Sequence, residues 1–204
     1  MNDQLAIPKW KDSILSNLQR SSNSPESRYL QLATVDSQNR PAVRTLVFRD
    51  FLENSADIIM HTDLRSHKVS EIAHQSRGQI CWYFSLSREQ FRLDGSIELI
   101  SKSSSKNIST DYDCQQLRED HWRRLSAPAK AGYFWAAPGS HYQTNNESDN
   151  QTQTKAANET ISEHFALLIF HIDHVDQLQL TPSPHQRTVF TLQDGHWHHS
   201  RINP

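Results

Sequence analysis

The sequence predicts an α+β fold, in which a mostly antiparallel β-barrel carries peripheral helices. Two observations predict it: seven or eight segments have strand-type patterning, and only two or three short segments have helical spacing. One strand, Glu89 to Ile100, is long and alternates cleanly between apolar and polar residues, as in the wall of a twisted barrel. At 204 residues, the chain predicts a single domain spanning 1–204.

Composition and charge exclude several classes of protein. The net charge is −2, so no global field favours nucleic acid or an acidic membrane as a partner. No apolar run is long enough to span a bilayer, and the N-terminal residues lack the pattern of a secretory signal. The two cysteines form neither a disulfide framework nor a zinc motif, which favours a reduced, cytoplasmic protein.

The N-terminal half predicts one helix followed by a meander of strands. Trp10 and Ile14 lie at helical spacing within residues 8–18, and strands follow at 28–35, 42–48 and 57–61. In the second strand, Arg44 shares one face with Leu46 and Phe48. A short helix follows, for which Ser66 is the predicted N-cap. Residues 79–85 are almost continuously apolar, which predicts a central strand covered on both faces.

The C-terminal half predicts helices, a polar insertion and a hairpin. Residues 111–125 form an amphipathic helix carried by Tyr112, Leu117 and Trp122, and 127–134 form a second helical piece. Residues 140–162 are almost all polar, which predicts a disordered insertion. A long strand covers 164–180, and a hairpin turning at Asp194-Gly195 joins 188–192 to 196–202.

A group of cationic side chains is the first candidate site. Its members are Arg44, Arg49, Arg65, Lys68 and Arg187. Arg65 and Lys68 lie in the turn TDLRSHK at a predicted helix start, where main-chain N–H groups and the helix dipole attract an anion such as phosphate. The alternative is an ordinary solvated basic turn, which is common in proteins.

Other polar groups indicate binding more than catalysis. Gln90, on the wet face of the long strand with Arg92, offers the donor and acceptor that a heteroaromatic ring needs; a plain solvent-facing strand is the alternative. His171 and His174 point to opposite faces of one strand, which argues against a metal site. There is no GxSxG, GxGxxG or P-loop motif, and no catalytic residue is assigned.

Several short motifs follow one another between residues 28 and 204. They are RTLVFR at 44–49, HT at 61–62, SHK at 66–68, EQFRLDG at 89–95, HQR at 185–187 and RINP at 201–204. Together and in this order, they resemble the motifs of the pyridoxamine 5′-phosphate oxidase family, whose fold is the FMN-binding split barrel. The resemblance is closer to the uncharacterised bacterial and cyanobacterial branch than to the biosynthetic enzyme.

The resemblance implies an FMN held at a homodimer interface. Arg44, Lys68 and Arg65 would bind its phosphate, and Ser66 and Thr62 would add hydrogen bonds. Gln90 would contact the edge of the isoalloxazine ring, with Arg187 near the barrel rim of the second subunit. The cofactor-binding residues implied in full are Arg44, Thr45, Leu46, Val47, Arg49, His61, Thr62, Arg65, Ser66, Lys68, Gln90 and Arg187.

The departures from the family pattern concern mainly the substrate. His67 replaces an arginine of the phosphate turn, and Arg49 replaces a lysine on the substrate side. The family's R-x-H pair becomes Ser183-Pro184-His185, without the arginine. Arg49 and His185 are the residues expected to line the substrate side.

Three functions are compatible with the sequence. The first is an FMN-dependent oxidoreductase acting on an unidentified small molecule. The second is a genuine pyridoxamine or pyridoxine 5′-phosphate oxidase, for which the missing arginine predicts little turnover. The third is a non-catalytic flavin- or haem-binding protein.

Overall fold

The structure, a computed structural model, describes residues 8–104, 112–141, 160–181 and 183–204. Its helices are α1 (Lys9–Arg20), α2 (His67–His74), α3 (Cys114–Arg123) and α4 (Ala127–Ala131), with short 3-10 turns at Pro25–Arg28 and Gly132–Phe134. Its strands are β1 (Tyr29–Val35), β2 (Pro41–Phe51), β3 (Ile58–Asp63), β4 (Arg77–Phe84), β5 (Glu89–Ile100), β6 (Phe165–Gln179), β7 (Gln186–Gln193) and β8 (His196–Ile202).

The strands form one sheet whose first six members close on themselves. The order is β3-β2-β1-β4-β5-β6-β7-β8, and an additional pairing between β3 and β6 closes a six-stranded antiparallel barrel. β6 has 15 residues, and β7 pairs with only its 174–179 portion. β6 is therefore long enough to pair with β3, β5 and β7. The predicted α+β antiparallel barrel with peripheral helices is confirmed.

Two local features follow directly from the sequence. Asp194 and Gly195 both have positive φ, 50° and 78°, which is the conformation of a tight hairpin turn between β7 and β8. The register between β2 and β3 shifts between Phe48 and Asp50, so the strand is irregular at Arg49. The predicted strands and the hairpin are found close to the positions that the sequence pattern predicts.

The described residues fall into two compact units, of which the first comprises residues up to 60, 71–98 and 169–204. Its core alternates along the strands: Leu30, Leu32, Ile80, Trp82, Phe91 and Leu93 are each 0% exposed. Helix α1 contributes Trp10 and Ile14, as its spacing predicts. Asn17 also bonds the buried Glu89 carboxylate at 2.5 Å, which ties α1 to β5.

The prediction that β4 is covered on both faces is wrong for the single chain. Ile80, Trp82 and Phe84 are buried, but Tyr83 on the opposite face is 45% exposed and Gln79 is exposed. β4 lies between β1 and β5, so its inner side chains enter the core while the others point outward. Large side chains on the outward face made the run look continuous.

The second unit comprises residues 61–70 and 99–168. Its core is aromatic: Phe165 lies 5.1 Å, centroid to centroid, from both Trp122 of α3 and Tyr133. The predicted apolar face of α3 is partly wrong, because Tyr112 precedes the helix and Leu117 is only half-buried. Arg118 and His121 are buried instead, and Arg118 bonds the carbonyls of Ser162 and Phe165 at 2.6 and 2.8 Å.

Most of the predicted polar insertion, residues 142–159 of 140–162, lies outside the described residues. Among the helices of the described ranges, none is long and apolar enough to cross a membrane.

Candidate functional site

A turn in the second unit, residues 62–68, brings together three of the predicted phosphate-binding residues. The ammonium nitrogen of Lys68 lies 2.9 Å from the Ser66 hydroxyl and 3.3 Å from the Thr62 hydroxyl. β3 ends at Asp63 and α2 begins at His67, so the turn connects a strand end to a helix start. Lys68 and Ser66 are half-buried and Thr62 is buried, which places one cation and two hydroxyls in a partly shielded position.

Ser66 occupies the predicted position directly before α2. Its hydroxyl donates to the Asp63 carbonyl at 2.7 Å and accepts from Lys68. The main-chain N–H of Val69 bonds the carbonyl of Ser66 at 3.0 Å, which closes the first helical turn. The hydroxyl is therefore oriented within the turn, beside the Lys68 ammonium.

Each of the three guanidinium nitrogens of Arg65 is hydrogen-bonded within the protein. Its Nε and Nη2 donate to the Asp63 carboxylate at 3.0 and 2.6 Å, and Nη1 donates to the Trp135 carbonyl at 2.8 Å. Burial opposes ionisation of Asp63, but hydrogen bonds from the Arg65 side chain and main chain outweigh it and lower the pKa of that carboxyl. Arg65 therefore fixes the shape of the turn beside Lys68.

His61, which immediately precedes Thr62, is paired with a second histidine. Its Nε2 lies 3.0 Å from Nδ1 of the buried His121, and its ring meets Phe165 edge-on at 5.1 Å. Since one proton is shared between the two facing nitrogens, each ring fixes the tautomer of the other. His121 was not singled out by the sequence, where it is one histidine among 12.

Arg44, in the first unit, forms a partly buried ion pair. Its Nη2 lies 2.5 Å from the Glu71 carboxylate, and its Nη1 donates to the Thr34 hydroxyl and, at 3.3 Å, to the Leu32 carbonyl. The hydroxyl of Thr34 donates to the same carboxylate at 2.5 Å. Glu71 was read from the sequence only as a helix-tolerant residue, because no local spacing shows a partner 27 positions away.

The outer face of the first unit carries Gln90 and Arg187. Gln90 is half-buried on β5, opposite Tyr83 of β4. The Nε and Nη2 of Arg187 donate to the Asp176 carboxylate at 3.0 and 2.7 Å, and Arg92 donates to the same carboxylate. Hydrogen bonding by Arg187, aided by Arg92, lowers the pKa of Asp176 against the opposing effect of burial.

The other predicted residues lie on β2 and just before β7. Thr45 is exposed, Leu46 and Val47 are half-buried, and Arg49 is exposed at the irregular position of β2. His185 is exposed directly before β7. In the described part of the chain, there is no group of three or more histidine, cysteine or carboxylate side chains suited to a metal ion.

Comparison with known proteins identifies the family. Residues 7–101 match the family described as pyridoxamine 5′-phosphate oxidase, FMN-binding domain. A protein of Arabidopsis thaliana named pyridoxine/pyridoxamine 5′-phosphate oxidase 2 is 34% identical over 203 residues, which is 97% of this chain and 98% of that protein.

Two solved structures also match this chain over nearly its whole length. The crystal structure of a pyridoxamine 5′-phosphate oxidase-related, FMN-binding protein from Nostoc punctiforme superposes with a TM-score of 0.87 at 36% identity, covering 98% of this chain and 100% of its own. PhzG from Burkholderia lata, at 14% identity and a TM-score of 0.72, covers 100% of this chain and 97% of its own, and shares the fold. The family and its cofactor, FMN, are those that the sequence motifs predict. This chain therefore belongs to the pyridoxamine 5′-phosphate oxidase family of FMN-binding split barrels.

Proposed function

We propose that this protein is an FMN-dependent oxidoreductase that acts on a small molecule. The observation that carries the proposal is the Lys68–Ser66–Thr62 group in the turn between β3 and α2. An ammonium flanked by two hydroxyls suits a phosphate monoester, because a doubly charged phosphate accepts several charge-assisted hydrogen bonds. The donor set therefore fits the phosphate end of FMN.

The remaining cofactor contacts are assigned from the family motifs. Arg44 is proposed as a second phosphate ligand, although its guanidinium also serves Glu71 and Thr34. Gln90 and Arg187 are proposed at the ring system, and Thr45, Leu46, Val47, Arg49 and His61 at the rest of the cofactor. Arg65, bonded to Asp63 and to main-chain carbonyls, is proposed to orient the turn.

The chemistry would come mainly from the cofactor. A bound flavin accepts or gives two electrons, while the protein supplies orientation and electrostatics. Lys68 would hold the phosphate, and Gln90 would offer an amide donor and acceptor to the ring edge. His185 and Arg49, both exposed, are proposed on the substrate side.

A second candidate is oxidation of pyridoxamine or pyridoxine 5′-phosphate itself. The full-length Arabidopsis relative of that name favours it. Ser183 at the position of the family arginine argues against it, because a substrate phosphate would lose a cationic partner. This activity would be seen as peroxide released when pyridoxamine 5′-phosphate is supplied with oxygen.

We propose a homodimer with FMN at the interface. On the outer face of neighbouring strands β2, β1 and β4, Val43 is 68%, Tyr29 43% and Tyr83 45% exposed. Exposed apolar side chains grouped on one face are typical of interaction surfaces. Light scattering on the peak that elutes from a size-exclusion column measures the molecular mass of the protein, and this mass tests whether the protein is a dimer.

We also place the protein in the cytoplasm, because both cysteines are free and the cytoplasm keeps thiols reduced.

The visible spectrum of the purified, desalted protein tests the proposal, with FMN added to saturation in a parallel sample. We expect flavin absorbance that stays with the protein. A protein that neither carries nor takes up FMN would overturn the proposal. Retention of FMN without turnover by any tested electron donor or by oxygen would identify a flavin-binding protein instead of an enzyme.

A further inference from the structure

Two histidines of β8 lie on one face of the strand. β7 and β8 pair in antiparallel register, with Gln193 opposite His196 and Thr191 opposite His198. Because side chains alternate along a strand, His196 and His198, the β8 histidine pair, share one face, and their Cα atoms lie about 7 Å apart. Trp197 between them belongs to the other face. The three histidines of β8 are therefore not equivalent, since two share a face and the third lies on the opposite one.

The other face of β8 packs against the first unit. The ring of Trp197 meets that of the fully buried Trp10 of α1 edge-on, with centroids 5.4 Å apart. His199 is the strand partner of the buried Phe190, and their ring centroids are 5.8 Å apart. These contacts fix which face of the hairpin is covered, so the β8 histidine pair is directed away from the core.

Both imidazoles of the β8 histidine pair are available to a ligand. His196 and His198 are exposed, and within the ranges that the structure describes neither side chain has a hydrogen bond or an ion pair. His171 differs, because both of its ring nitrogens are bonded to carboxylates, at 2.9 and 3.2 Å. His174 also differs, because its Nδ1 is bonded to Asp94 at 2.8 Å. Each ring of the β8 pair is thus able to rotate and present a nitrogen to a shared ligand.

Two imidazoles at this spacing suit a transition-metal ion. Imidazole is the commonest metal ligand in proteins and binds zinc and copper. An ion at about 2.1 Å from each nitrogen holds the two nitrogens about 3 Å apart. Side chains two positions apart on a strand can converge to this separation, as histidines four positions apart do on a helix. Once one imidazole is bound, the second acts at a high effective concentration, so the pair holds the ion more tightly than either ring alone.

We propose that His196 and His198 form a two-ligand site for a divalent transition-metal ion, zinc or copper. The described residues contain no cluster of three or more histidine, cysteine or carboxylate side chains suited to a metal, so water completes the coordination. A four-coordinate ion keeps two positions for water, whereas structural zinc sites have four protein ligands, so this ion exchanges with solvent and does not hold the fold together. The site shares no residue with the proposed cofactor site and does not depend on the proposed function.

Titration calorimetry of the FMN-loaded full chain, prepared without a histidine tag, tests the site. The probes are Zn²⁺ and Cu²⁺, and Mg²⁺ is the control because it prefers oxygen ligands. We expect one transition-metal ion per chain, with Cu²⁺ bound more tightly than Zn²⁺. His196→Gln and His198→Gln should each weaken the binding by about tenfold or more, because only one imidazole of the pair remains. His199→Gln, which removes a histidine from the other face of the same strand, should bind like wild type.

Electron paramagnetic resonance of the Cu²⁺-loaded protein counts the ligands independently, and we expect two nitrogens in wild type and one in His198→Gln. The site would be overturned by the absence of binding of either ion, by equal affinities for wild type and both variants of the pair, or by an equal loss in His199→Gln. Flavin absorbance, measured before each titration, separates this site from the proposed function. A colourless protein that binds Zn²⁺ through the β8 histidine pair would refute the flavin proposal and support the metal site.

Discussion

The guanidinium of Arg44 lies 2.5 Å from the Glu71 carboxylate, and both side chains are mostly shielded from solvent, at 21% and 10% exposure. Removing one partner of such a pair leaves a charge without its counterion in a poorly hydrated place. Arg44, proposed from the sequence motif as a phosphate ligand, is therefore also a structural residue.

Glu71→Gln should lower the free energy of unfolding by about 2 kcal/mol, somewhat less than for a fully buried pair because Arg44 keeps some solvent contact. Urea unfolding in the presence of saturating FMN measures this free energy of unfolding. The control is Glu119→Gln, whose partner Arg123 is 62% exposed and whose loss should change stability by less than about 0.5 kcal/mol. A Glu71→Gln protein as stable as the control would contradict the pairing.

Lys68→Met should weaken FMN binding at least tenfold, since it removes the ammonium from the phosphate turn while keeping the length of the side chain. Quenching of flavin fluorescence on binding measures the affinity. Lys68→Met leaves the ion pair between Arg44 and Glu71 intact, whereas Arg44→Ala would break it and destabilise the fold. Lys102→Met, at an exposed turn, is the control, and equal affinities for both variants would refute the phosphate assignment.

Stability should fall as the pH rises above about 6.5, the ordinary pKa of histidine, because of His171. Its Nδ1 lies 2.9 Å from Asp57 and its Nε2 3.2 Å from Glu98. The hydrogen bond that the imidazole donates to Asp57, aided by Glu98 and opposed by burial, raises the pKa of the imidazole. The stabilisation is complete below the unfolded value of about 6.5 and is lost as the pH passes the higher folded pKa.

The measurement is urea unfolding of wild type and His171→Gln across this pH range. The difference in unfolding free energy between them should be largest on the acidic side and should shrink towards alkaline pH. A difference that does not change with pH would show that folding does not raise the pKa of this imidazole.

Gly95→Ala should be strongly destabilising. A Cβ at this position would lie 2.1 Å from the main-chain oxygen of His171 and 2.8 Å from the Phe170 ring, so β5 or β6 must move. We expect a loss of about 3 kcal/mol, at the upper end for overpacking. Gly132→Ala, where the nearest atom is 4.0 Å away, should leave the melting temperature nearly unchanged. A tolerated Gly95→Ala would mean that the two strands are not held this closely.

The sequence predicts the strands well because their pattern is local. Period-2 alternation marks β5, and Asp194-Gly195 marks the hairpin. Within the candidate site, the sequence likewise predicts that Thr62, Ser66 and Lys68 lie close together, since they fall within a stretch of seven residues.

Long-range partners could not be predicted. Nothing near Glu71 shows that it pairs with Arg44, and nothing near Asp176 shows that it joins Arg92 to Arg187. The buried polar face of α3 was missed for the same reason, because Arg118 is satisfied by carbonyls 44 and 47 residues away. The two faces of β4 were misjudged because both carry large side chains.

Closure of the barrel leaves β8 as the edge strand at its end of the described sheet. An edge strand offers unpaired main-chain groups to any passing chain. β8 is exposed at most positions, and three histidines and an arginine interrupt its sequence, HWHHSRI. Such bulky polar residues discourage edge-to-edge aggregation. Replacing them with valine or isoleucine should therefore let β8 pair with other copies of the chain and form fibrils.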